Sequence, residues 1–313
     1  MISHRQLNHA LCLFKQGNFT RAAIEANLSQ SALSRSIRNL ELELGVSLFD
    51  RNKTTVEPTR YGEVFLARAK AISADTEALE REMLLMRGLQ AGSFSVVLGV
   101  YPAEISGNRA LGSMLNEFPN LQYRAFVGNW EMVNEYVSNR TADLGFAAVD
   151  AAENEEHLSV ERVRPHEMVL YCRKGHPLAN NGKPGREDLD QFPLVSIRVP
   201  AGLADAIPGK SEIDRGSGHL VPSVEIDDIT TARTIVSQSD GIGAAVPLQI
   251  ESQLRSGDLV LLDFQRPWIK PVYGFISLKS RALSPAAEFF MEKVIRFEEE
   301  AEQKNKALLE TYR

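Results

Sequence analysis

The stretch Asn27–Arg51, NLSQSALSRSIRNLELELGVSLFDR, carries two patterns at one period. Leu33, Ile37, Leu40 and Leu44 recur at helical spacing. Ser31, Ser34, Arg35 and Arg38 recur at the same spacing on another face, with no acid before Glu41. A core-facing stripe accounts for the first set. The second set is what a helix needs to enter a DNA major groove: small residues admit the backbone, Gln and Arg reach base edges, and hydroxyls and cations hold phosphates. Gln30 suits adenine, and Arg35 and Arg38 suit guanine or phosphate. Ser29 is placed to cap a helix over Gln30–Leu44, and its N-terminus favours a phosphate. Gly45 stops it. The competing reading is a merely solvated helix face.

Upstream, Leu7, Leu11 and Phe14 mark the expected core face of a first helix that ends at Gly17-Asn18. Thr20 is the expected cap of a shorter second helix through about Ala26, and Asn27 suits a left-handed turn. Two short helices joined by a tight turn form the helix-turn-helix pattern. Downstream, SLFDRNKTTVEPT predicts a two-stranded wing with Asn52-Lys53 near its tip, so that Arg51 and Lys53 reach a neighbouring groove or backbone. Thr59 then caps a long charged helix. Its apolar stripe, Tyr61, Phe65, Ile72, Leu79, Met83 and Met86, reads as a dimerisation seam rather than a cofactor box. Gly88 and Ala91-Gly92-Ser93 read as a linker.

From Phe94 onward strands and helices alternate: FSVVLGV, LQYRAFV, ADLGFAAV, EMVLYC, PLVSIRV, VPSVEI, GIGAAVP and VYGFISL are separated by helical segments, with a long helix from Pro285. This predicts an α/β fold with mainly parallel sheets in two subdomains, ligands binding beyond the carboxyl ends of the strands. The expected domains are a winged helix-turn-helix at 1–62, a linker helix and hinge at 63–92, and an α/β domain at 93–313. Its first subdomain would cover about 93–164 and 266–313, its second about 165–265.

The bulk numbers fit. Residues 1–62 hold eight Lys/Arg against five acids, so +3; with −6 for the chain, the remainder carries −9. A basic head on an acidic body points to nucleic acid at one end only. Two cysteines, Cys12 and Cys172, exclude a disulfide framework and a Cys-rich metal site, and read as buried thiols. None of the six His lies in a zinc-binding spacing, GIGAAV is a poor dinucleotide fingerprint, and no nucleophile elbow or phosphate loop appears, so no enzyme and no cofactor are expected. No apolar run approaches the roughly 20 residues needed to span a bilayer, and the N-terminus reads as an amphipathic helix rather than a signal peptide, so a cytoplasmic protein is expected. The rivals are a stand-alone small-molecule-binding module and an enzyme without a DNA role.

The head also resembles the DNA-binding region of LysR-type transcriptional regulators. The resemblance rests on Asn18-Phe19, Ala22-Ala23, Ser29 through Ile37, Leu40-Glu41, Leu44-Gly45, Leu48-Phe49, Arg51 and Thr59 to Gly62. TADLGFAA, CRKGHPLA and SQSDGIGAAVP look typical of the same family further on. The resemblance implies a homodimer or homotetramer on double-stranded DNA at an interrupted palindrome of T-N11-A type, with RNA polymerase as a further partner. It also implies a small effector between two α/β subdomains resembling periplasmic solute-binding proteins. The positions it marks for the effector include Tyr101, Pro102, Ala103, Asn129, Trp130, Ala147, Ser196, Arg198, Thr230 and Val246. Glu104 would repel an anion if it faced that cleft. Arg198 and Ser196 suit a carboxylate, and Tyr101 with Trp130 an aromatic or apolar body. Equally, Trp130 reads as packing between subdomains and Arg198 as part of a structural ion pair.

Overall fold

The computed structural model describes residues 2–50, 56–86, 92–179, 182–264 and 270–312. The chain falls into two compact units, Met1–Leu89 with Asn139–Thr141 and Gln90–Ser138 with Ala142–Arg313.

In the first unit, α1 (His4–Gln16) starts at a reciprocal cap, with Ser3 Oγ accepting from the Gln6 N–H and Gln6 Oε1 accepting from the Ser3 N–H. Helix α2 (Phe19–Glu25) is capped by Asn18, whose Oδ1 accepts from the Thr20 and Arg21 N–H groups, and not by Thr20 as expected: the carboxamide reaches both free donors at once. Asn27 takes φ +53° in the turn. Helix α3 (Gln30–Leu44) is capped by Ser29 Oγ on the Ala32 N–H and ends at Gly45 with φ +71°. Strands β1 (Phe49–Asp50) and β2 (Glu57–Pro58) pair antiparallel as the base of the wing, and α4 (Arg60–Met86) follows. Residues Arg51 and Lys53 at the expected wing tip lie outside the described residues, as do Gly88 and Ala91.

Leu13, Ala22, Ala23, Leu33, Ile37, Leu40, Leu48 and Phe49 form the head core. The core face of α1 is Leu7, Ala10 and Leu13, with Leu11 half-buried. Phe14, expected inside, is 41% exposed and lies under the Lys70 ammonium of α4 at 5.9 Å. The apolar stripe of α1 is wider than its contact, so the small Ala10 takes the tight position. Three residues fasten the wing base. Glu41 Oε1 accepts from the Leu48 and Phe49 N–H groups at 2.8 and 3.2 Å. Thr59 Oγ1 donates to the Ser47 carbonyl and accepts from the Gly62 N–H. Gly62 lies so close to the chain that a Cβ there would stand 2.0 Å from the Leu48 carbonyl oxygen.

The second unit opens with β3 (Gly92–Gly99), so Gly92-Ser93, expected in the linker, begin a strand paired with Leu121 and Gln122. A nearly continuous helical segment follows: α5 (Val100–Pro102), a π-type turn Ala103–Gly107 and α6 (Asn108–Glu117). Next come β4 (Leu121–Gly128), α7 (Trp130–Ser138), β5 (Leu144–Ala148) and β6 (Leu158–Arg162). The chain then crosses to a second layer of β7 (Val169–Arg173), α8 (Arg186–Leu189), β8 (Leu194–Ser196), α9 (Ala201–Ala204), β9 (Ser211–Ile213), β10 (Leu220–Pro222) and β11 (Val224–Glu225). That layer continues through α10 (Ile229–Ser237), β12 (Ile242–Ala245), a 3-10 turn Pro247–Ile250, α11 (Glu251–Ser256) and β13 (Leu259–Leu261). Strand β14 (Tyr273–Leu278) returns to the first layer, and α12 (Pro285–Tyr312) closes the chain.

Two five-stranded sheets result, ordered β4-β3-β5-β14-β6 and β11-β8-β12-β7-β13, with β9 and β10 as a separate pair. The sheets are mixed rather than mainly parallel: each has two parallel and two antiparallel pairings. Strands entering after a crossing, β7 and β14, run against their neighbours. The short strands β6, β9 and β13 carry too little alternation to be read from sequence.

Helix α12 serves both subdomains. Phe290 packs on Phe94 and Phe289 edge-on to Phe118 in the first. Leu309 and Tyr312 pack on the core of the second. Between them lies a buried polar knot. Glu298 on α12 takes hydrogen bonds from Ser106 Oγ and His166 Nε2, while Asn305 meets His166 Nδ1 at 3.3 Å and accepts from the Leu248 N–H at 2.8 Å. His166 sits in the first crossing, so the knot joins both subdomains and the segment that passes between them.

Candidate DNA-reading face and effector cavity

On α3 the outward residues are those the sequence marks. Ser29, Gln30, Ser31, Arg35 and Arg38 are exposed and Ser34 is half-buried. Ser29 Oγ and Ser31 Oγ lie 3.1 Å apart at the helix start. Arg35 and Arg38 make no ion pair among the described residues, so both guanidiniums are available to an anion. The helix is set by its inner face and by Ser36, whose Oγ is 2.7 Å from His9 Nδ1 of α1. Burial, with the neighbouring Arg5, pushes the His9 pKa down.

Along α4, Tyr61, Ile72 and Leu79 are exposed at 64, 48 and 57%, and Val64 joins them at 65%. Phe65, assigned by sequence to the same seam, instead turns inward and packs half-buried on the head core. The side chains of Met83 and Met86 lie outside the described residues.

The two α/β subdomains flank a cavity that is partly open to solvent. Of the ten residues marked by sequence, Tyr101, Pro102, Asn129, Trp130, Ala147, Ser196 and Arg198 line it. Ala103 is buried in the π-type turn, Val246 is buried beside the 3-10 turn, and the Thr230 hydroxyl accepts from Arg233 at 2.9 Å. Sequence reasoning missed Met168, Leu203, Ile207, Ala244, Pro271 and Tyr273. Met168, Pro271 and Tyr273 flank the two crossings, where no local signature says which residues face the cavity. Leu203 and Ile207 belong to a four-residue helix and its exit, too short to show a helical period in the sequence.

The cavity wall is apolar with a few fixed polar groups. The Tyr101 hydroxyl donates to the Ala244 carbonyl at 3.2 Å and lies 3.4 Å from Ser196 Oγ. Burial pushes its pKa up to about 12, so it stays protonated. Burial also raises Tyr273 well above the usual phenol range. Asn129 caps α7, its Oδ1 accepting from the Met132 N–H at 2.9 Å. Trp130 packs edge-on to His219 at 5.2 Å between ring centres. Trp130 Nε1 and the Tyr273 hydroxyl are buried and have no hydrogen-bond partner among the described residues. Arg198 donates to both carboxylate oxygens of Glu225, at 3.3 and 3.1 Å.

Glu104 does not line this cavity. Its carboxylate takes two hydrogen bonds from Arg233, at 3.0 and 3.2 Å, tying the first subdomain to α10 of the second. It lines a separate polar recess with Arg109, Gln249, Glu300 and Lys304. Among the described residues no cluster of His, Cys, Asp or Glu could hold a metal ion, and no helix is long and apolar enough to cross a membrane. Cys12 and Cys172 are free thiols; burial pushes the Cys172 pKa up to about 12.

A helix-turn-helix head with an open reading helix, followed by two α/β subdomains around a cavity, defines a ligand-responsive DNA-binding protein. Residues 4–63 match the bacterial regulatory helix-turn-helix protein of the lysR family, and residues 87–297 match the LysR substrate binding domain. The chain belongs to the LysR family of transcriptional regulators: a DNA-binding regulator with a ligand-binding domain. An SDS degradation transcriptional activation protein from Pseudomonas sp. (strain ATCC 19151) is 31% identical over 288 residues, covering 91% of this chain and 92% of its own length. Among solved structures, a full-length OxyR variant from Pseudomonas aeruginosa superposes with a TM-score of 0.67 at 18% identity, covering 94% of this chain and 98% of the other. Full-length CbnR complexed with its target DNA gives 0.60 at 19% identity, covering 95% and 100%. These likenesses extend the family's fold over both units.

Proposed function

We propose that α3 reads an operator through Gln30, Ser31, Ser34, Arg35 and Arg38, with Ser29 and the helix N-terminus on a phosphate and Arg51 and Lys53 of the wing on an adjoining groove or backbone. The observation that carries this is the exposure of Arg35 and Arg38, without an ion-pair partner among the described residues, on a helix held from behind. The exposed stripe Tyr61, Val64, Ile72 and Leu79 pairs two copies, and two pairs assemble a homotetramer on half-sites separated by about 34 Å or a multiple of it. A small molecule in the cavity that Tyr101, Trp130 and Ser196 line changes the arrangement of the heads. It does so only in so far as it binds one arrangement more tightly than the other. The protein works in the cytoplasm, with RNA polymerase as the partner that transmits the change. The solved complex of a regulator of this fold with its target DNA supports the DNA reading.

The test is footprinting of purified protein on DNA fragments that it enriches from its own genome, beside a Gln30→Ala/Arg35→Ala double variant. The reading expects a protected interrupted palindrome that the variant fails to protect. Equal protection by both proteins would mean that α3 is not the reader.

A further inference from the structure

We infer that the effector of this chain is an uncharged, largely apolar molecule bearing an oxygen or other hydrogen-bond acceptor, and not a carboxylate or other anion. The inference rests on the reading of this cavity as the effector site.

The first ground is charge. Among the described residues, Arg198 is the one charged residue in the cavity wall, and Glu225 takes both of its hydrogen bonds. Glu131 and Asp214 lie close enough to raise the Arg198 pKa further, after Glu225. One guanidinium therefore stands among three carboxylates. An anion entering beside Arg198 would displace Glu225 and still meet its field and that of the other two. The rest of the described wall offers no cation, and burying an unpaired charge there is strongly unfavourable.

The second ground is the polar inventory. Most polar groups of the wall are already used: Tyr101 on the Ala244 carbonyl, Ser196 beside Tyr101, and Asn129 on the Met132 N–H. Two are not. Trp130 Nε1 and the Tyr273 hydroxyl are buried with no partner among the described residues. An indole N–H only donates, and a phenol kept protonated by burial donates as well as accepts. Buried donors without partners are costly and few in folded proteins. A neutral acceptor such as a carbonyl, ether or alcohol oxygen satisfies either of them without bringing charge, while the remaining wall, including Val100, Met168 and Leu203, takes an apolar body.

The experiment is calorimetric titration of the full-length protein with matched neutral and anionic probes: benzyl alcohol against benzoate, cyclohexanol against cyclohexanecarboxylate, and 1-hexanol against hexanoate. Each neutral probe is expected to bind at least about tenfold more tightly than its carboxylate. Glu225→Gln, which frees Arg198, is expected to narrow that ratio by strengthening the carboxylates alone. Trp130→Phe and Tyr273→Phe, which keep an aromatic ring in place, are expected to weaken the neutral probes by about three- to tenfold, the value of one hydrogen bond. Carboxylates that bind as well as the neutral probes in the unaltered protein, or neutral probes that do not bind at all, would overturn the inference. Footprinting of the same preparation separates the two readings. Operator protection with the wrong order of probes removes only the ligand class. Loss of protection with the expected order removes the regulator reading and leaves the cavity chemistry standing.

Discussion

Gly62 and His176 each sit where one atom decides what is tolerated. At Gly62 the backbone passes the Leu48 carbonyl so closely that a methyl group would stand 2.0 Å from its oxygen. Gly62→Ala must therefore move the wing base or the start of α4, at about 1–3 kcal/mol. Gly112→Ala, on a helical face with nothing within 4 Å, should instead stabilise by about 0.5–1 kcal/mol. Chemical denaturation of the two variants checks the pair; equal effects would refute the contact. His176 is buried, its Nδ1 accepts from the Leu178 N–H at 3.0 Å, and Nε2 then donates to the Asp240 carbonyl at 3.1 Å. The ring is thus neutral in the fold, and burial lowers its pKa below the ordinary 6.5. The unfolded chain binds the proton more readily. The stabilisation is full above pH 6.5 and is lost as pH falls through the lower folded value. Unfolding free energy measured from pH 8 to 5 should fall below about pH 6.5, and His176→Asn should flatten that fall. The glycine and the histidine are visible in the sequence as members of recurring phrases, but their reasons are not. A 2.0 Å approach and a fixed tautomer are properties of packing between distant segments.

Elements are legible where local chemistry and periodicity agree. Helix α3 declares itself through Ser29, its two stripes and Gly45, all within one stretch, and needs no distant partner to be recognised. Helix α4 is legible as a rod but only partly as a surface. Leu66 and Ala69 are buried and Phe65 is half-buried against the head, while Tyr61, Val64, Ile72 and Leu79 face outward, a division that a single apolar stripe cannot separate. If the outward set pairs two copies, Leu79→Glu places two charges in an apolar seam. Sedimentation should then show assemblies of half the size with an unchanged far-ultraviolet spectrum. An unchanged sedimentation coefficient would exclude the seam. That the crossings carry Met168 and Tyr273 to the cavity is not legible. Strand β14 inserts between β5 and β6, and only the finished sheet shows which earlier strands it meets.

For the whole molecule the two units divide labour along the charge asymmetry of the chain: a head of net +3 and a body of net −9. Within the body, both subdomains hold α12, the Ser106–Glu298–His166–Asn305 knot and the Glu104–Arg233 pair in common. Any change in the cavity that moves one subdomain against the other must repack these shared contacts, so the body has a physical means of registering a ligand. The cavity itself is half legible: family-like positions around Tyr101, Trp130 and Ser196 stand out in the sequence, while Glu225 as the partner of Arg198 and the lack of partners for Trp130 Nε1 and the Tyr273 hydroxyl among the described residues come only with the fold. The central claim for the head is that Arg35 and Arg38 meet DNA. The most direct measurement is the affinity of the full-length protein for its footprinted site across a salt series, beside Arg35→Ala and Arg38→Ala. A base-reading arginine should cost about 1–3 kcal/mol on the operator and relax its sequence preference. A phosphate-holding one should weaken all sequences alike and reduce the salt slope by about one. Affinities and salt slopes identical to the unaltered protein for both variants would contradict the account.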